Sequence, residues 1–399
     1  MIKFSARHNL IYIILLIINH LVRRIILIIT DTFYPNSVSV FYSVLMFLGE
    51  MSAGFILYKY QKIVLKKRII DEQLTSILTK KFKKSRIDSK FKIYSLLIMS
   101  GFFDFMETQL SNLYIPKFSN ISKSLEDRLC GTTIIFTALI YSYILKFPLF
   151  KHHIFSLVVV GASLLIIIIS EAFFQQDKIT KSFFGFISLV ISSLFEMYFI
   201  CMMDCIDKYL MEFNSFNPCL IIVFEGLFGT IYSFINFVDN DLYTKTKLVI
   251  KGVQGHSIGL FIFLLFLIFV LSGITNIYRI YTNKIYNPMT ESLAYYALNP
   301  LYMIYDFASA DDFLVKGKQD YFYFFFNLIL SIIISVTGFI FNEFIVVFCC
   351  RLEHDTYQEI SKRSKIDKDD AIELGKLLND KEEEEDEEEN KDRTYTIFV

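Results

Sequence analysis

Tryptophan is absent from the 399 residues. Anchoring at a membrane–water boundary, where amphipathic rings settle, therefore falls to the 24 Tyr and 43 Phe. Cysteine is scarce, with six residues at positions 130, 201, 205, 219, 349 and 350. No spacing among them matches a metal site or a disulfide framework, so they read as structural. Cys349 and Cys350, beside Arg351, offer a setting for reversible palmitoylation. Phosphate-binding P-loops, dinucleotide fingerprints, H-E-x-x-H and G-x-S-x-G are all missing. Nothing points to ATP hydrolysis by this chain. A membrane-embedded lipid enzyme would lack a nucleophile, a metal cluster or a His-rich motif. His152 and His153, next to Lys151, read as surface bases in a loop. The chain is expected not to be an enzyme, and to need no metal or cofactor.

Long apolar runs are what the sequence has. Hydrophobic residues make up 54% of it, at a mean hydropathy of +0.46. Runs of about 18 or more apolar residues recur, enough to cross roughly 30 Å of hydrocarbon as helix. The ten-residue alternation of a β-barrel is not seen, and helices satisfy the backbone in lipid. The expected fold is an all-α membrane protein of about ten transmembrane helices, near 9–30, 36–59, 93–112, 129–147, 154–173, 183–205, 218–238, 257–279, 286–307 and 321–350. The first stretch holds Asn19, His20, Arg23 and Arg24 without a small-residue cleavage site, and reads as a helix rather than a signal peptide.

The net charge of −1 conceals segregation. Segment 60–92 carries eleven Lys and Arg, and the same-side loops add Lys151, Lys208, Arg279 and Lys284. Both termini are therefore expected in the cytosol, in a membrane the sequence does not specify. Attraction to anionic lipid explains the basic loop without nucleic acid. The sequon at Asn120 falls on the far side. From Arg351 the chain turns polar and reaches an acidic block at 382–389, which self-repulsion should keep disordered. The organisation read from this is a cytosolic N-terminus (1–8), a first five-helix group (9–174), a second (183–350) and a cytosolic tail (351–399). Two groups of five enter from opposite sides, the layout of an inverted-repeat carrier. The halves share little evident residue-level similarity, so the division rests on counting.

Each charge held at bilayer depth costs about 2.5–3.5 kcal/mol and needs a partner or water. Glu50 lies in the second helix, Asp104 and Glu107 on one face of the third, and Glu196 and Asp204 on one face of the sixth. Glu225 is in the seventh, Asn276 and Arg279 in the eighth, and Glu291 and Asn299 in the ninth. These carboxylates outnumber the bases near them. Arg23 and Arg24 are the expected partners, with Glu50 as their nearest target. Glu343 and Arg279 can also be read as interfacial. Asn327, Ser331, Ser335, Gly338 and Asn342 form a stripe that reads as helix packing. Pro288 and Pro300 bracket the ninth helix and should interrupt it.

Several stretches resemble the drug/metabolite transporter superfamily (EamA-like), nearest the F subfamily of solute carrier family 35, whose members are described as nucleotide-sugar-transporter-like. The likeness spans roughly residues 10–350. It rests on Phe47-Leu48-Gly49-Glu50, Asp104, Gly131 to Thr137, Leu149 to His153, Lys208-Tyr209-Leu210, Pro218 with Glu225 to Gly229, and Phe341-Asn342-Glu343. It implies ten helices in a five-plus-five inverted repeat around a cavity lined by helices one to four and six to nine. The chain departs from the family pattern at Cys130, where relatives carry Arg, and in the sixth helix.

Together these readings give a secondary transporter or exchanger of a small polar metabolite. Asn19, Arg24, Glu50, Asp104, Glu107, Thr133, Glu196, Asp204, Glu225, Asn276, Glu291 and Asn299 are its cavity or coupling candidates. Expected partners are a small-molecule solute, membrane lipid and a second copy of the chain, with no nucleic acid. The competing reading is a non-transporting scaffold or regulator derived from the same fold.

Overall fold

The computed structural model describes chiefly residues 10–34, 38–64, 90–111, 125–145, 149–174, 183–214, 216–239, 257–286, 288–301 and 318–343. Most of the basic loop, the sequon, Cys349, Cys350, the acidic tail and the side chain of Glu291 lie outside the described residues. The described elements are helices: α1 (Leu10–Phe33), α2 (Val38–Val64), α3 (Lys90–Gln109), α4 (Leu125–Leu129), α5 (Thr132–Leu145), α6 (Lys151–Phe174), α7 (Phe183–Phe213), α8 (Pro218–Asp239), α9 (Ile258–Ile285), α10 (Pro288–Tyr296) and α11 (Lys318–Phe341).

Six of them are long and apolar enough to cross a membrane: 11–30, 151–173, 183–212, 218–235, 258–285 and 321–341. Their outward faces carry Ile11, Ile14, Ile18, Phe173, Ile262, Phe266 and Ile329, all exposed. Polar side chains turn inward instead: Glu50, Asp204, Glu225 and Arg279 are buried. Such an inside-out distribution suits lipid as solvent, and the protein is a multi-pass helical membrane protein.

Local chemistry explains the boundaries. Pro218 and Pro288 open α8 and α10, where a missing N–H costs nothing. Asn217 Oδ1 accepts from Cys219 N at 2.8 Å, and Ser257 Oγ accepts from Leu260 N, capping α8 and α9. The expected fourth helix is broken at Cys130–Gly131, between α4 and α5. The expected ninth is interrupted at Ala297–Leu298, just before Pro300, as that residue demands.

Two boundaries differ in a way that matters for the site. The sixth expected helix runs on to Phe213 and the eighth to Ile285, so Lys208 and Arg279 lie inside helices rather than in loops. Both are buried, at 1% and 3% exposure. The hydropathy reading ended those helices at Cys205 and Arg279, but here Lys208 and Arg279 have partners and the helices continue past them.

His152 and His153 are likewise not surface bases, each being 3% exposed. His153 Nδ1 accepts from Phe150 N at 3.0 Å and its ring also bonds the Phe341 backbone, while His152 Nε2 lies 3.4 Å from Glu343. Glu343 sits at φ 58° just past α11, a left-handed helix-end position usually given to glycine.

Helices distant in sequence are neighbours. α2 packs against α8 and α9, α3 against α7 and α8, α1 against α9 and α10, α5 against α7 and α10, and α6 against α11. One apolar core joins α4, α5, α6, α10, α11 and the start of α7, and a second joins α3, α8 and the later parts of α7 and α9. The site lies beside the second core.

Candidate solute site

Three glycines let α2, α3, α8 and α9 approach closely. A Cβ on Gly226 would lie 2.5 Å from Met51 N and 2.6 Å from Phe47 O. On Gly273 it would lie 2.6 Å from Gly49 O, and on Gly101 2.8 Å from Phe228 Cβ. Larger residues would hold the helices apart. Because of these contacts, polar residues adjoining the glycines meet inside the bundle.

Arg279 on α9 is the hub. Its Nη1 donates to Asp204 Oδ1 at 2.8 Å and to Asp207 Oδ2 at 3.4 Å, its Nη2 to Glu225 Oε2 at 2.6 Å, and its Nε to Asn276 Oδ1 at 2.8 Å. The planar guanidinium fork suits this many acceptors. Ser100 Oγ, on α3, lies 2.8 Å from Asp207 Oδ1 and 2.7 Å from Glu225 Oε1. A hydroxyl has one proton to give. One of those two contacts therefore requires a proton on a carboxyl, and Asp207 and Glu225 also hydrogen-bond each other. Asn283 Nδ2 donates to the Asp204 carbonyl at 2.8 Å. The network thus ties α3, α7, α8 and α9 together.

Lys208, one residue after Asp207, serves the adjoining helix end. Its Nζ donates to the carbonyls of Asn283, Lys284 and Tyr286 at 2.8, 3.1 and 2.9 Å, and pairs with Glu212 at 3.3 Å. Those carbonyls lack intrahelical donors, and a cation suits a helix C-terminus. Gln61 with Tyr281, Asn217 with Gln61, and Lys92 with Tyr209 close the same end of the bundle.

Deeper, Glu50 on α2 is 1% exposed and neither carboxyl oxygen has a hydrogen-bond partner among the described residues. Asp104 on α3 is 5% exposed, with Oδ2 in the same position. The two interact electrostatically with each other and with Arg279 and Glu225. Four residues separate Asp104 from Ser100, about 6 Å along α3. The Gly49–Gly273 contact sets Glu50 about 9 Å beyond Arg279 along α9. Both carboxyls therefore lie behind the Arg279 network, as seen from the end that Lys208 closes.

The other candidates fall into separate groups. Asn19 Nδ2 donates to Leu271 O at 3.1 Å and to Thr275 Oγ1, joining α1 to α9. Glu107 is half-buried, accepts from Thr108 and interacts electrostatically with Arg23 and Arg279. Glu50 makes no hydrogen bond to Arg24 among the described residues, and Arg23 acts on it only through space. Glu196 is buried two turns before Asp204. Thr133 Oγ1 donates to Cys130 O at 2.6 Å, beside Cys201, in the α5–α7 contact. Asn299 bonds Tyr296, whose hydroxyl meets Ser331 of α11, apart from the carboxylates. Ser331 and Asn327 of the α11 stripe bond Tyr296 and Ser170, which is packing.

Sequence reasoning missed Asp207, Lys208 and Ser100 as site residues, along with a second buried pair. Arg128 Nη2 donates to Glu171 Oε2 at 2.6 Å, with Tyr323 bonded to both. A signal was available for Ser100. Ser100-Gly101-x-x-Asp104-x-x-Glu107 in α3 recurs as Ser272-Gly273-x-x-Asn276-x-x-Arg279 in α9. The copies have like surroundings: Gly101 lies on α8 at Glu225 and Gly273 lies on α2 beside Glu50. Searched against protein-family models and against curated proteins, the chain matches none.

Proposed function

We propose that this protein is a secondary transporter or exchanger of a small polar metabolite, working by alternating access. The observation that carries the reading is the pair of buried carboxyls Glu50 and Asp104, without hydrogen-bond partners among the described residues, behind an ionic network at one end of the bundle. Burying an unpaired carboxyl is costly, and a fold with only a structural task has no reason to retain two.

The helix neighbours support a ten-span, five-plus-five inverted repeat of the drug/metabolite transporter kind, nearest the F subfamily of solute carrier family 35. Exchanging α1, α2, α3, α5 and α6 for α7, α8, α9, α10 and α11 turns the α2–α9 contact into α8–α3, α1–α9 into α7–α3, and α5–α7 into α10–α1. It returns α2–α8, α5–α10 and α6–α11 to themselves. The Ser-Gly motif obeys the same exchange. In this reading both termini face the cytosol, and the Arg279 network closes the cytosolic end.

The test is reconstitution of the full chain into liposomes with metabolite pools at a series of pH values. Uptake should depend on pH, and Glu50→Gln or Asp104→Asn should flatten that dependence. Wild-type flux profiles in both variants would remove these residues from the mechanism. The scaffold reading is favoured by the completeness of the Arg279 and Arg128 networks, which brace the bundle whether or not solute passes. No flux from any pool would favour it.

A further inference from the structure

We propose, building on the transport reading above, that Glu50 with Ser272 and Asp104 forms a site for a cationic group bearing N–H donors, an ammonium or guanidinium, on the transported solute.

The argument is the comparison of the two halves. In one, Glu225 on α8 is contacted by Ser100 of the α3 motif and by the guanidinium of Arg279. The corresponding carboxylate in the other half is Glu50 on α2, the residue after Gly49, and Gly49 meets Gly273, the residue after Ser272, of the α9 motif. Ser272 is fully buried and its Oγ, like both oxygens of Glu50, has no hydrogen-bond partner among the described residues. A buried Glu facing a Ser-Gly motif of the opposite half thus occurs twice. In the α8 copy it is matched to a planar N–H cation. In the α2 copy the acceptors are set out, and two buried bases of the described residues are engaged elsewhere: Arg279 with Asp204, Asp207 and Glu225, and Lys208 with three carbonyls and Glu212. Arg23 reaches Glu50 only through space.

Charge gives the sign. Glu50, Asp104, Asp204, Asp207 and Glu225 are five buried carboxyls; Arg279 ion-pairs with the last three, and Arg23 acts on Glu50 through space. An anionic solute such as a nucleotide would meet repulsion on reaching Glu50, while a cation would relieve it. A carboxylate with both oxygens available favours donors that bind in parallel, as guanidinium and ammonium groups do.

Binding and flux are read separately. Purified full-length protein is treated with a hydrophobic carbodiimide, which modifies carboxyls within apolar surroundings, and labelling of Glu50 is followed by peptide mass spectrometry. Butylguanidinium and butylammonium at millimolar concentration should slow that labelling at least about tenfold, the protection expected at roughly ten times Kd. Tetramethylammonium, which has the charge without N–H groups, Na⁺ and uridine monophosphate should not. Glu50→Gln should abolish the thermal stabilisation given by butylguanidinium while still unfolding cooperatively. Equal protection by Na⁺ or tetramethylammonium overturns the N–H requirement; protection by the nucleotide, or by nothing, overturns the site. Liposome uptake without cation protection would leave transport standing and remove this site. Cation protection without uptake would leave the site and remove transport.

Discussion

Replacing Arg279 by methionine keeps the apolar bulk of the side chain and removes the guanidinium that faces Asp204, Asp207 and Glu225 at 2.8, 3.4 and 2.6 Å. Removing one partner of a buried ionic group leaves uncompensated charge and costs about 3–5 kcal/mol. For a chain of this length that is a melting shift of about 4–6 °C. The protein has no tryptophan to report unfolding, but Cys201, Cys205 and Cys219 are buried free thiols, so a thiol-reactive dye reads the transition. Removing the carboxylates as well should reverse most of the loss. Arg279→Met combined with Asp204→Asn, Asp207→Asn and Glu225→Gln has no carboxylate left opposite the missing base, and replacing a whole buried network is often neutral or better. The combined variant should therefore melt higher than the single one, with a coupling of about 2–3 kcal/mol between the sites. A single variant melting within a degree of wild type, or a combined variant melting lower still, would refute a network whose members depend on one another.

Two further substitutions test how the site is held. Lys208→Met leaves the carbonyls of Asn283, Lys284 and Tyr286 without their donor and should cost about 1–3 kcal/mol, with faster amide exchange confined to the end of α9. Uniform exchange along α9 would contradict the capping role. Gly226→Leu drives atoms into Phe47 O and Met51 N of α2, so α2 must move away from α8 at a cost of about 1–3 kcal/mol or more; wild-type stability would show that the helices do not meet there. These join the pH dependence of uptake and the protection of Glu50 by N–H cations described above.

Hydropathy alone was enough to establish an all-helical membrane protein, because a backbone in lipid has few ways to satisfy its hydrogen bonds. It also picked out Glu50, Asp104, Asp204 and Glu225, since each charge at bilayer depth stands out against its run. The same reasoning placed Lys208 in a loop and left Arg279 between the eighth helix and its loop, whereas a base with three acceptors from other helices remains inside a span. The recurrence of Ser-Gly-x-x-[Asp/Asn] at 100 and 272 is written in the sequence, yet its meaning needed the contacts of Gly101 with α8 and Gly273 with α2. Which carboxylate meets which base was beyond any reading of the chain in order. Arg279 is 54 residues from Glu225 and 75 from Asp204, and helices so far apart meet only through the packing of their small residues. Periodicity and burial cost decide where a helix lies in the bilayer; side-chain partnership is decided when the bundle closes.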